Sequence, residues 1–153
     1  MKWQAPAGGS TFVGAQAWQS VSVSLSNNVW TAMTFTNEDY DSDGFHSNST
    51  NTSRMTIPSG KGGKYLVQTS MALNSVSLAG YRGLSIYKNG TAVKGFGNEP
   101  YGTYPVIFMT GVIEVAAGDY VEIYIKQDSG GTFSTDTFTG QQSCWFAISY
   151  LGA

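Results

Sequence analysis

A single cysteine, Cys144, is the whole of the thiol inventory in this sequence. It excludes an intrachain disulfide and any multi-cysteine metal site, so the fold must stand on packing alone. Charge is scarce too. Only 12% of the 153 residues are Asp, Glu, Lys or Arg, and a net charge of −2 with a pI near 5.1 leaves no electrostatic footprint for nucleic acid or acidic lipid. No apolar run is long enough to span a bilayer, so membrane insertion is not expected. No stretch shows a convincing helical period. The opening residues, Met1 to Gly9, lack the apolar core of a signal peptide, which leads us to expect a protein that is cytosolic, processed, or released by a route other than secretion.

Aromatic residues are plentiful at 14%, and Ser, Thr, Asn and Gly supply most of the polarity. A chain of this length fits one domain and can bury a core without staples. The most informative stretch runs from Gly63 to Leu73. Tyr65, Val67, Thr69, Met71 and Leu73 share one side at period two, and Lys64, Leu66, Gln68, Ser70 and Ala72 share the other. The first side reads as core. The second is neither cleanly polar nor cleanly apolar, so something is expected to cover it.

Taken in order, residues 1–11 read as an extended arm, with Pro6 and Gly8-Gly9 denying it regular structure and Trp3 needing somewhere to dock. Strands are expected over Phe12–Trp18, over Val21, Val23 and Leu25, and over Trp30–Phe35. Asn37–Arg54 reads as a long polar connection, and Met55–Ile57 as a strand closed by Pro58. Gly83–Lys88 and Thr91–Phe96 flank Asn89-Gly90, a strong hairpin turn. Gly95–Tyr104 reads as a loop, and Val106–Val115 with Asp119–Gln127 as a second hairpin through Ala116-Ala117-Gly118. Ser129–Ser143 reads as a loop, and Cys144–Leu151 as the last strand. Short strands at even spacing predict an all-β sandwich.

The later strands repeat the two-sided pattern. Val106, Phe108 and Val112 oppose Ile107, Met109, Ile113 and Val115, and Trp145, Ala147, Ser149 and Leu151 oppose Cys144, Phe146, Ile148 and Tyr150. A two-layer sandwich has one inner face per sheet, so a second apolar face needs a third layer. Another copy of the chain is the economical source of it.

The run Gly111-Val112-Ile113-Glu114-Val115-Ala116-Ala117-Gly118-Asp119-Tyr120-Val121, with Gly63-x-Tyr65 and the aromatic final strand, resembles the complement C1q globular-head and tumour necrosis factor superfamily. Trp30-Thr31-Ala32 through Phe35, Tyr40 to His46, and Arg54-Met55-Thr56-Ile57-Pro58 resemble the C1q-like domains of bacterial and phage proteins especially. The resemblance covers roughly residues 12–151 and no collagen repeat precedes it. Ile57 and Val67 stand where animal members usually carry Phe. It implies a jelly roll of about ten strands in two sheets over residues 12–153, assembled as a compact homotrimer. Carried over by position, it places Gln68, Phe108 and Trp145 at the three-fold axis or the neighbouring subunit. Leu66 and Val106 join them by parity. Tyr65, Val67, Ile107, Met109, Val121, Ile123, Ile125, Phe146 and Ile148 are expected in each subunit's own core.

Catalytic and metal chemistry are not expected. Asp39-x-Asp41-x-Asp43-Gly44 begins like a calcium loop, but Thr50 stands where the bidentate Glu belongs, so bound calcium is not expected and no cofactor is implied. Asp128-Ser129-Gly130-Gly131 echoes a serine-protease segment without its context, and only His46 could serve as base. Cys144 lies in an apolar strand, where a cysteine is an inert small hydrophobe. Three glycosylation triplets, at Asn48, Asn51 and Asn89, arise by chance in so hydroxyl-rich a chain.

The expected function is a non-enzymatic trimeric module on a virion surface. It would be a bacteriophage capsid decoration protein or fibre head, attached to capsid or fibre proteins through an arm carrying Trp3 and Pro6. The alternative is an extracellular or tail-fibre adhesin that binds a cell-surface receptor or carbohydrate through loops Asn37–Arg54, Gly95–Tyr104 and Ser129–Ser143. Tyr101, Tyr104 and Phe133 would then offer flat surfaces for sugars.

Overall fold

A computed structural model describes residues 12–74, 80–98, 105–137 and 142–153. Among them there is no helix. The strands are β1 (Gly14–Trp18), β2 (Ser24–Leu25), β3 (Thr31–Ala32), β4 (Asn37–Asp41), β5 (Arg54–Thr56), β6 (Gly63–Asn74), β7 (Arg82–Lys88), β8 (Thr91–Asn98), β9 (Val106–Val115), β10 (Tyr120–Gln127), β11 (Phe133–Thr135) and β12 (Trp145–Gly152). Two antiparallel sheets result. In the first, β6 lies between β9 and β12, β1 and β4 follow β12, and β11 and β2 extend from the far end of β6. In the second, β10 lies between β7 and the short pair β3 and β5, and β8 closes the opposite edge. The architecture is an all-β jelly roll.

The twelve-residue β6 is the central strand of the first sheet, and its parity is as the sequence implies. Tyr65, Val67, Thr69, Met71 and Leu73 are all buried, the Tyr65 hydroxyl donating to the Lys61 carbonyl at 2.7 Å. Ile107, Met109, Val121, Ile123, Ile125, Phe146 and Ile148 join them in one core, where Phe35 and Phe146 sit 5.7 Å apart. Each large apolar side chain so buried contributes about 1.5–3 kcal/mol, which replaces the missing staples.

Five expectations need correcting. Val106–Val115 and Tyr120–Gln127 do not form a hairpin: β9 pairs with β6 and β10 with β7, so the intervening turn carries the chain from one sheet to the other. Gly118, in the left-handed region at φ 86°, donates to the Ile57 carbonyl, and Asp119 accepts from the Ala116 amide, which pins that corner. Asn37–Arg54 is not wholly a connection, because Asn37–Asp41 forms β4 on the edge beside β1. Likewise Ser129–Ser143 contains β11, and Gly95–Asn98 continues β8 rather than starting a loop. The early strands are shorter than expected, with Phe12, Val21 and Val23 outside β1 and β2. The Asn89-Gly90 hairpin is present, with φ of 50° and 77° at its two central residues.

Candidate functional site

The outer face of the first sheet is built by register. Reading across β9, β6, β12 and β1, one row is Phe108, Ser70, Trp145 and Trp18. The next rows are Thr110, Gln68, Ala147 and Gln16, then Val112, Leu66, Ser149 and Gly14. Val106 lies opposite Ala72 beyond Phe108. These positions share a face because every second residue of a strand points the same way. Phe108 is 63% exposed, Val106, Val112 and Leu151 are exposed, and Leu66, Trp145 and Trp18 are half-buried. Small residues lie between the rings: Ser70 separates Phe108 from Trp145 and is itself buried. At the β4 rim, Phe12 meets Tyr40 edge-on at 5.3 Å, and both are exposed.

A second apolar strip adjoins this face. The edge strands β8 and β9 border a groove lined by Lys94, Phe96, Phe108 and Thr110, with Val93 and Phe96 exposed on β8. Phe108 belongs to both surfaces.

The five residues expected at an assembly surface, Gln68, Phe108, Trp145, Leu66 and Val106, are thus brought together on one face. Trp18, Phe12 and Tyr40 were missed, because their place there depends on β1 pairing with β12 and β4 with β1. Alternation within β9 and β12 already put Val112 and Leu151 on it. Trp3, Pro6, Tyr101 and Tyr104 lie outside the described residues. Phe133 is not in a loop: it sits in β11, half-buried, with the Arg82 guanidinium 4.7 Å from its ring centroid.

The groups that could carry chemistry are engaged with the fold. Asp41 accepts backbone N–H groups from Asp43, Gly44, Phe45 and His46. Asp39 takes the side-chain amides of Gln16 and Gln142, while Asp43 accepts from the Ser42 hydroxyl and pairs with Lys61, contacts that hold its carboxyl below the usual range. Among the described residues no cluster of three or more His, Cys, Asp or Glu side chains is placed to hold a metal ion. Ser129 donates its hydroxyl to Gln127 at 2.7 Å. His46 meets Glu38 at 2.9 Å through Nδ1 and the Thr52 carbonyl at 3.2 Å through Nε2. Cys144 is buried between the Ala72 and Asp136 carbonyls, and burial pushes its thiol up, away from the reactive thiolate.

No protein-family model matches the sequence, and no curated protein matches it. Among solved structures, the crystal structure of murine APRIL at pH 8.0 superposes with a TM-score of 0.68, covering 92% of this chain and 100% of that one at 11% identity. APRIL is a tumour necrosis factor family jelly roll. The fold here is of that TNF/C1q-like kind. At so low an identity the likeness is one of architecture, and the residues on the exposed face must be argued from their own chemistry.

Proposed function

We propose that three copies of this chain assemble about a three-fold axis into a non-enzymatic structural module of the bacterial and phage C1q-like branch. Its place is a virion surface, as a bacteriophage capsid decoration protein or fibre head tied down by the arm that carries Trp3 and Pro6. The observation that carries the assembly is the exposed apolar face around Phe108, Val106, Val112, Leu66 and Trp145. Large apolar side chains gathered on one exposed face mark an interaction site. A three-fold contact joins two unlike surfaces, and this chain has two that meet at Phe108: the face of the first sheet and the β8–β9 edge. Those long edge strands also expose unpaired backbone groups, which a neighbour would cover. The virion assignment rests on the sequence resemblance to bacterial and phage C1q-like domains.

Light scattering on the purified protein is expected to give three times the chain mass. A monomer at high micromolar concentration would overturn the assembly. Co-sedimentation with intact phage particles, lost on removal of residues 1–11, tests the location. Glycan binding by the free trimer without any affinity for particles would replace this reading with the adhesin one.

A further inference from the structure

On the other sheet, residues 42–53 leave β4, and with the start of β5 they border a cleft of about 240 Å³. That is below the roughly 300–1,000 Å³ of sites for drug-sized ligands, so the cleft takes a small group. Its wall is firmly made. The Asp41 carboxylate gathers four backbone amides, His46 bridges Glu38 and the Thr52 carbonyl, and the Ser47 hydroxyl accepts the Ser49 and Thr50 amides. Ser47, Thr50, Asn51, Arg54 and Thr56 line it together with Gly44, Phe45 and His46.

Arg54 is held in a particular way. Its Nε donates to Glu122 at 3.3 Å, and its guanidinium carbon sits 3.9 Å over the Tyr120 ring. With Nε and one π-face used, the two terminal nitrogens carry N–H groups that meet no acceptor among the described residues. A fixed guanidinium with its end edge open is the fork that matches an oxyanion. The Glu122 carboxylate offsets part of the Arg54 charge but is turned away from solvent. The Glu122 side chain is 6% exposed against 36% for Arg54, and its Oε1 also accepts from the Ser53 hydroxyl. Glu38 is turned to His46, and Asp43 to Lys61. The Thr50 and Thr56 hydroxyls and the Asn51 amide supply further donors and acceptors suited to a hydroxylated ligand.

We infer that this cleft binds an oxyanion carried on a small saccharide, the Arg54 fork taking the anion and the Thr50–Asn51 rim taking ring hydroxyls. β5 lies on the edge of the second sheet opposite β8, so the cleft and the β8–β9 strip occupy different edges. The site therefore stands or falls independently of the assembly.

The test is titration of the isotope-labelled full chain with glucuronate, glucose 6-phosphate, glucose and inorganic phosphate, read by amide shifts at residues 47–56. Saturable shifts are expected with the two sugar anions, and whichever binds tighter names the oxyanion as carboxylate or phosphate. Arg54→Gln should weaken binding roughly tenfold or more. Because that change strips Glu122 of its partner and can unfold the edge, Asn51→Asp is the second variant. It leaves the Arg54–Glu122 pair intact, places a like charge at the rim, and should also weaken binding roughly tenfold. No shift with either sugar anion, or equal shifts with glucose, would overturn the site. Inorganic phosphate binding as tightly as glucose 6-phosphate would overturn the saccharide part.

Discussion

The two sheets share one core, yet their outer faces differ. The second sheet also carries aromatic rings, but apart from Phe96 on the β8 edge they are engaged within the sheet. Tyr87 stacks on Tyr124 at 3.9 Å, Arg54 covers Tyr120, and the Tyr81 ring lies over Gly83 and Gly97, where any side chain would collide with it. Ser85 donates to the Lys94 carbonyl at 2.8 Å, and Glu122 is taken up by Ser53 and Arg54. On the first sheet Phe108, Val106, Val112 and Leu151 stand exposed around half-buried Leu66 and Trp145. The difference teaches that aromatic content does not mark an interface. What marks it is whether the rings have found partners within their own sheet.

The comparison can be broken at several points. The largest effect belongs to neither face but to the core they share: Phe146→Ala should cost about 3–5 kcal/mol, read by urea unfolding. A loss near 1 kcal/mol would mean that the sheets do not depend on a common interior. Next come two aspartates. Phe108→Asp forces a charge onto a surface that assembly would dry, at a cost of several kcal/mol per ion, and should give monomer or aggregate by light scattering. Tyr124→Asp on the opposite sheet should keep the parent mass. Equal behaviour of the two would erase the distinction between the faces. Smaller still, Tyr87→Ala removes a stacked pair worth about 0.5–1.5 kcal/mol beyond the area it buries, and should leave the oligomer unchanged.

The smallest effect sharpens the comparison at the corner where the chain passes between sheets. Asp119 accepts from the Asn89 side chain and the Ala116 amide and pairs with Lys88 at 2.9 Å, which lowers its carboxyl from 3.8 to about 2. A carboxyl lowered by folding adds stability above its unfolded value. That contribution should fade as the pH falls from about 4 to about 2, and Asp119→Asn should remove the fading from melting curves taken between pH 5 and 2. The site is near the surface, so the slope will be modest.

Much of this was legible in the chain. Period-two alternation in Gly63–Leu73 separates buried Tyr65, Val67 and Met71 from the opposite face, because a strand's side chains have no third direction to take. The same rule put Phe108, Val106 and Trp145 on surfaces away from the core before any pairing was known. β4 escaped notice because Asn37–Asp41, an edge strand, carries neither alternation nor β-branched residues. The supposed hairpin through Ala116-Ala117-Gly118 failed for a different reason. Two alternating segments and a glycine turn look the same whether the chain folds back in one sheet or crosses to another.

By itself, then, the sequence determined the strand class, the identity of the core and the existence of a second apolar face, since each depends only on neighbours two residues away. Only the tertiary structure decided which strands lie side by side. Pairing is a contest among distant edges, won here by β6 for both β9 and β12. That outcome set Trp18 in the row of Phe108 and Trp145. The approach of β5 to β10 likewise brought Arg54 to Glu122 and Tyr120, a juxtaposition spanning more than sixty residues of chain.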